Sequence, residues 1–128
     1  MTVKISDGKV EITAGIWGVP SVSQQPSLQL IRWSVRQTER GSRYLVGYNI
    51  SDHEGRVSTA IQNFDASTAR VTTRSGRIYQ LVGPPGRDPD AEWVWQNMAS
   101  PDLKWTDVSD ELEVALQEHL RSNKADTE

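Results

Sequence analysis

Ile31, Trp33 and Val35 alternate with Arg32, Ser34 and Arg36, and Tyr44, Val46, Tyr48 and Ile50 repeat the alternation after a turn at Arg40, Gly41 and Ser42. A side-chain period of two belongs to a strand with one face buried, and it excludes a helical reading of this stretch. Polar, turn-forming runs then recur: Asp52, His53, Glu54 and Gly55, then Asp65, Ala66, Ser67 and Thr68, then Ser75 and Gly76. Between them, Val57, Thr59 and Ile61 share a strand face leading to Phe64, and residues 69–74 and 77–82 form two further short strands. Short strands joined by short turns pair with their sequence neighbours, so the middle of the chain is an antiparallel meander of about five strands. Asp7 and Gly8 make another two-residue turn that sets Ile5 against Val10 and Val3 against Ile12, with Lys4 opposite Glu11. With this hairpin the sheet has five to seven strands and is expected to curve or to curl into a small barrel. Residues 14–27, rich in Gly, Pro, Ser and Gln, read as a loop that Trp17 pins to the core.

The run Gly83, Pro84, Pro85, Gly86 ends the sheet. Asp88 followed by Pro89 fits a helix N-cap with proline at the first helical position, and Ala91, Val94, Trp95 and Met98 then form an apolar stripe. Ser100, Pro101 and Asp102 break that helix. A second helix runs from about Ser109 to His119, with Leu112, Ala115, Leu116 and Leu120 on one side. The expected fold is α+β: one domain over residues 1–121, a curved antiparallel sheet with two C-terminal helices, and a frayed tail over 122–128.

Charge is sorted along this scaffold. Residues 32–87 carry nine Arg against four acids, and residues 88–128 carry eleven acids against three bases. A net charge of −3 therefore hides a basic middle and an acidic end, an asymmetry that usually concerns partners. The chain has no Cys, which removes disulfides, thiolate nucleophiles and Cys-ligated metal. Its start has no apolar signal-like run, and nothing approaches the ~20 apolar residues of a membrane span, so a soluble cytoplasmic protein is expected.

Four groups of residues are candidates for contact with a partner. The two-residue loop at Ser75 and Gly76 pairs Arg74 with Arg77, Thr72 with Tyr79 and Arg70 with Leu81. One sheet face then carries Arg70, Arg74, Arg77 and Tyr79, able to offer bidentate donors and a stacking platform to phosphate or carboxylate. Arg32 and Arg36 extend the basic face. Trp93, two positions from Trp95, is off the helix stripe and is either packed sideways or an exposed anchor. Asp107, Asp110, Glu111 and Glu113 crowd the start of the second helix, where the helix dipole favours them. A row of carboxylates can also imitate a phosphate backbone and occupy a basic groove.

Catalysis is not expected. His53 and His119 belong to no metal-spacing motif, the Gly-Pro-Pro-Gly run lacks the N–H groups of a phosphate cradle, and no Ser has nucleophile-elbow context. No cofactor or metal is implied.

Two resemblances follow from these residues. Arg32 and Arg36, with Asn49, Ser51, Asp52 and Gly55 downstream, look like the cyclic-diguanylate-binding PilZ pattern, although three residues rather than two separate the Ser from the Gly. More of the chain, about half, resembles small uncharacterised proteins of phages and mobile elements of proteobacteria. The resemblance lies in Tyr44, Leu45, Val46 and Gly47, in the hairpin from Thr73 to Leu81, and in the Gly-Pro-Pro-Gly run. It implies an accessory-genome setting in which small proteins of mixed charge look like inhibitors of host defence, including anti-CRISPR proteins. The resulting expectation is a non-catalytic interaction protein, monomer or homodimer, that inhibits a host nucleic-acid-handling complex. Its partner would be a host protein or ribonucleoprotein. The rival expectation is a β module that binds nucleic acid directly through the Arg face.

Overall fold

The computed structural model describes residues 21–126, with side chains to Arg121. The expected hairpin at residues 3–12 and Trp17 lie outside the described residues. The elements are β1 (Ser27–Thr38), β2 (Arg43–Asn49), β3 (Glu54–Val57), β4 (Ile61–Asp65), β5 (Arg70–Thr73), β6 (Ile78–Leu81), α1 (Pro89–Met98), β7 (Trp105–Asp107) and α2 (Ser109–Asp126). All seven strands join one open, curved sheet in the order β3-β2-β1-β6-β5-β4, with β7 added beside β1. The fold is α+β, as the sequence pattern predicts.

The sheet is mixed rather than purely antiparallel. Ser27 to Leu30 run parallel to Ile78 to Leu81, so the meander closes back on its own first strand. β1 can serve so many partners because it is long and bent. Its first half pairs with β6, its last residues pair with β7, and β2 follows it along the other edge. The bend is a β-bulge: Ile31 faces Tyr48 and Ser34 faces Val46, leaving Arg32 and Trp33 opposite Gly47. Arg32 has φ 46°, the left-handed conformation that such a bulge needs at its first position. A Cβ on Gly47 would stand 3.1 Å from the Trp33 Cα, so glycine is what allows the bulge to sit this close to β2.

The bulge also shifts the phase of β1. Leu28 and Leu30 are buried before it, and Trp33 and Val35 after it. These four, with Leu45, Val71, Tyr79 and Leu81, form the inner core, closed on one side by Leu112 of α2. Packing of α1 on the outer face makes a second cluster from Tyr44, Val46, Val57, Ala60, Ala91, Trp95 and Met98. The helix starts as its sequence predicts, with the Asp88 carboxylate accepting from the Ala91 amide at 3.0 Å and Pro89 in the first turn. α2 continues to Asp126, past the expected end near His119, because neither Gly nor Pro interrupts that stretch. No described helix is long and apolar enough to cross a membrane.

Candidate functional site

Part of the charge asymmetry is resolved inside the molecule. Arg32 donates to Asp88 at 2.9 Å, Arg43 to Glu111 at 2.8 Å and Arg87 to Asp107 at 2.8 Å, and Arg36 pairs with Glu92. Every one of these bonds joins the basic middle to the acidic end. Three of the cations lie on β1 and β2, and the fourth, Arg87, lies just before α1. The carboxylates come from the start of α1, from β7 and from α2.

Arg36 is the deepest of these cations. It is fully buried, its guanidinium lies 5.0 Å from the Trp95 ring and 4.5 Å from the Trp105 ring, and Glu92 takes one of its terminal nitrogens. Its Nε and second terminal nitrogen have no hydrogen-bond acceptor among the described residues. The indole faces offer these N–H groups their electron density instead. Burial pulls the Arg36 pKa below the ordinary guanidinium value despite the opposing pull of Glu92. Trp105 lies in β7 and stacks edge-on to Trp95 at 5.6 Å. Arg32 and Arg36 are therefore fixed to α1, and the PilZ-like pair does not form a free basic surface. Nor do they share a simple strand face, since the bulge begins at Arg32.

The expected Arg70, Arg74, Arg77 and Tyr79 surface is also divided. The hairpin loop has three residues, not two: Thr73 donates to Arg77 at 3.1 Å, Gly76 donates to the Thr73 carbonyl at 2.8 Å, and Gly76 takes φ 93°. That one-residue change of register sets Val71 against Tyr79 and Arg70 against Gln80. Tyr79 and Arg77 consequently turn to the buried face, where Arg77 Nε donates to the Gln25 carbonyl at 2.8 Å. Arg74 stands exposed at the hairpin tip, and Arg70 remains on the outer face.

The acidic row at α2 is partly engaged as well. Asp107 accepts from the Ser109 hydroxyl and amide at 2.5 and 2.8 Å. Partial burial pushes its pKa up, but the Ser109 bonds and Arg87 outweigh that and hold it below the ordinary carboxylate value. Glu111 is tied to Arg43, whereas Asp110 is exposed and Glu113 borders a groove. Trp93 is 54% exposed on α1, so it lies outside both cores.

That groove is the feature the sequence reading missed. It encloses about 470 Å³ beneath α2, with walls of Trp33, Leu81, Pro84, Pro85, Leu116 and Leu120. Trp33 fixes its floor by donating from Nε1 to the Gly83 carbonyl at 3.0 Å, while the Gly86 amide donates to the Trp33 carbonyl at 2.8 Å. The Gly-Pro-Pro-Gly loop is thus tied down at both ends. Along α2, Leu112 is buried, Leu116 half-buried and Leu120 65% exposed, so the apolar stripe outruns the core that covers its start. The signal was present in the i, i+4 spacing of three leucines, the last of them past the predicted helix end. A second, more polar cleft of about 440 Å³ lies on the outer face around Arg70.

Comparisons with protein families, with curated proteins and with solved structures found nothing that matches this chain.

Proposed function

We propose that this chain is a non-catalytic interaction protein, an inhibitor carried by a mobile element, that docks a host nucleic-acid-handling complex with the groove beneath α2. The observation that carries this reading is the groove itself, apolar within and capped by a leucine left largely in water. An apolar pocket of this size fits one or two anchoring side chains of a partner, the arrangement that dominates protein–protein affinity. The surface beside it carries acids: Glu113 lines the groove, and Asp110 is exposed one turn earlier on α2. A complementary partner presents an apolar anchor among cations, and proteins that handle nucleic acid carry such basic surfaces. The acidic row thus acts as a rim that steers association, while affinity comes from the buried anchor. The mobile-element setting is drawn from the sequence resemblance alone.

A tagged pull-down from bacterial lysate, with and without nuclease, tests the reading. It expects a protein partner that survives digestion, is lost with Leu120→Asp, and is retained with Arg70→Ala. Recovery of nucleic acid alone, lost with Arg70→Ala and Arg74→Ala, would instead identify a direct nucleic-acid binder.

A further inference from the structure

The outer face of the sheet has two halves. Helix α1 covers the half made by β2, β3 and the end of β1. The other half, made by the start of β1 with β5 and β6, is uncovered by any described element, and one rung crosses it at Arg70. Gln29 pairs with Gln80, and Gln80 pairs with Arg70. Ser27 and Ile78 lie one rung away, and Ser51 borders the same cleft of about 440 Å³.

Arg70 differs from the paired arginines in its partner. Arg32, Arg36, Arg43, Arg56 and Arg87 each lie within ion-pair distance of a carboxylate, whereas Arg70 is held by a neutral amide. The Gln80 side chain donates to the Thr68 and Ala69 carbonyls at 2.7 and 3.2 Å, which turns its oxygen toward Arg70 Nε at 3.1 Å. This amide clamp orients the guanidinium through Nε and, among the described residues, leaves both terminal NH2 groups for a bidentate ligand.

The nearby carboxylates are engaged elsewhere. Asp65, across the strand pair from Arg70, accepts from the Ser67 amide and hydroxyl at 2.9 and 2.6 Å. Those bonds hold its pKa below the usual carboxylate value. Asp52, next to Ser51, accepts from Gln25 and Asn49 and lies 3.7 Å from Arg56.

We infer that this cleft binds the phosphate group of a small phosphate monoester. A guanidinium fork, two hydroxyls and the Gln29 amide together offer more donors than the two oxygens of a carboxylate can accept, and they suit the three terminal oxygens of a monoester. The cleft is large enough for a ligand of mononucleotide size.

Titrating 15N-labelled protein with inorganic phosphate and with AMP, at constant ionic strength set by chloride, tests this. Saturable shifts at the Gln29, Ser51, Arg70 and Gln80 amides are expected. Arg70→Gln should weaken binding by roughly tenfold or more, the cost of losing a charged hydrogen-bonding partner. Gln80→Ala should weaken it less, by releasing the clamp, and Arg43→Gln should leave it unchanged. Thermal unfolding of each variant, matched to the parent, confirms that the fold is intact. The inference is overturned if neither ligand gives saturable shifts, or if Arg70→Gln binds as well as the parent. It is also overturned if only a single-stranded oligonucleotide binds, with a steep salt dependence, because that describes an open basic surface rather than a phosphate site.

Discussion

Two arginines on the same outer sheet face have opposite fates. Arg36, under α1, is sealed between two indoles and a carboxylate; Arg70, on the uncovered half, is oriented by an amide and open to solvent. What separates them is the helix above. Where α1 lies, cations become internal partners of an acidic helix, and where it does not, the same residue type remains available. A basic sequence segment is therefore a poor guide to a basic surface unless the positions of its acidic counterparts are known.

This contrast can be broken from the covered side first. Glu92→Ala would leave Arg36 buried without its carboxylate and should cost about 3 kcal/mol, read by urea denaturation. Replacing the pair together, Arg36→Met with Glu92→Leu, should recover most of that loss, since burial of an ion pair gives little net stability. Full recovery would mean that the stacked indoles need no cation. Gly55→Ala comes next. Its new Cβ would lie 2.4 Å from the Ala91 nitrogen and would displace the first turn of α1, which rests on β3. The expected cost is about 2 kcal/mol, with weakened cover over Tyr44 and Val46.

A smaller effect is expected at Asp107. Its pKa is lowered on folding, so it stabilises the fold above the unfolded carboxylate pKa of about 4, and that contribution is lost as pH falls through the lower folded value. Asp107→Asn should therefore reduce stability at neutral pH and flatten the acid limb of a pH–stability curve. On the open half, Arg70→Ala should change stability by no more than about 0.5 kcal/mol. A larger loss there would mean that the two halves are not so different.

Strand alternation, turn residues and the Asp88–Pro89 helix start were legible because each is a local effect of one or two residues. The parallel closure of β1 on β6 was not, since it joins segments far apart in the chain and leaves no local mark. The register of the β5–β6 hairpin was nearly legible. Ser75 and Gly76 suit a two-residue loop, but the same Gly fits the left-handed third position of a three-residue one. The deciding clue was Leu81, which the shorter loop would strand on an arginine face and the longer one buries with Val71 and Tyr79. A slip of one residue was enough to dissolve the four-residue surface built on it. The ion pairs between the middle and the end were visible only as a balance of charge, because their geometry depends on where α1 and α2 fold back.

The three-way pairing of β1 has a consequence for how the chain reaches this state. Its partner β2 follows at once, but β6 comes from the middle of the sequence and β7 from beyond the first helix. One edge of the longest strand in the sheet therefore stays open until most of the chain is in place. Assembly that waits on such distant segments belongs to the slower range of domain folding, milliseconds to seconds, and leaves an adhesive strand edge exposed during synthesis.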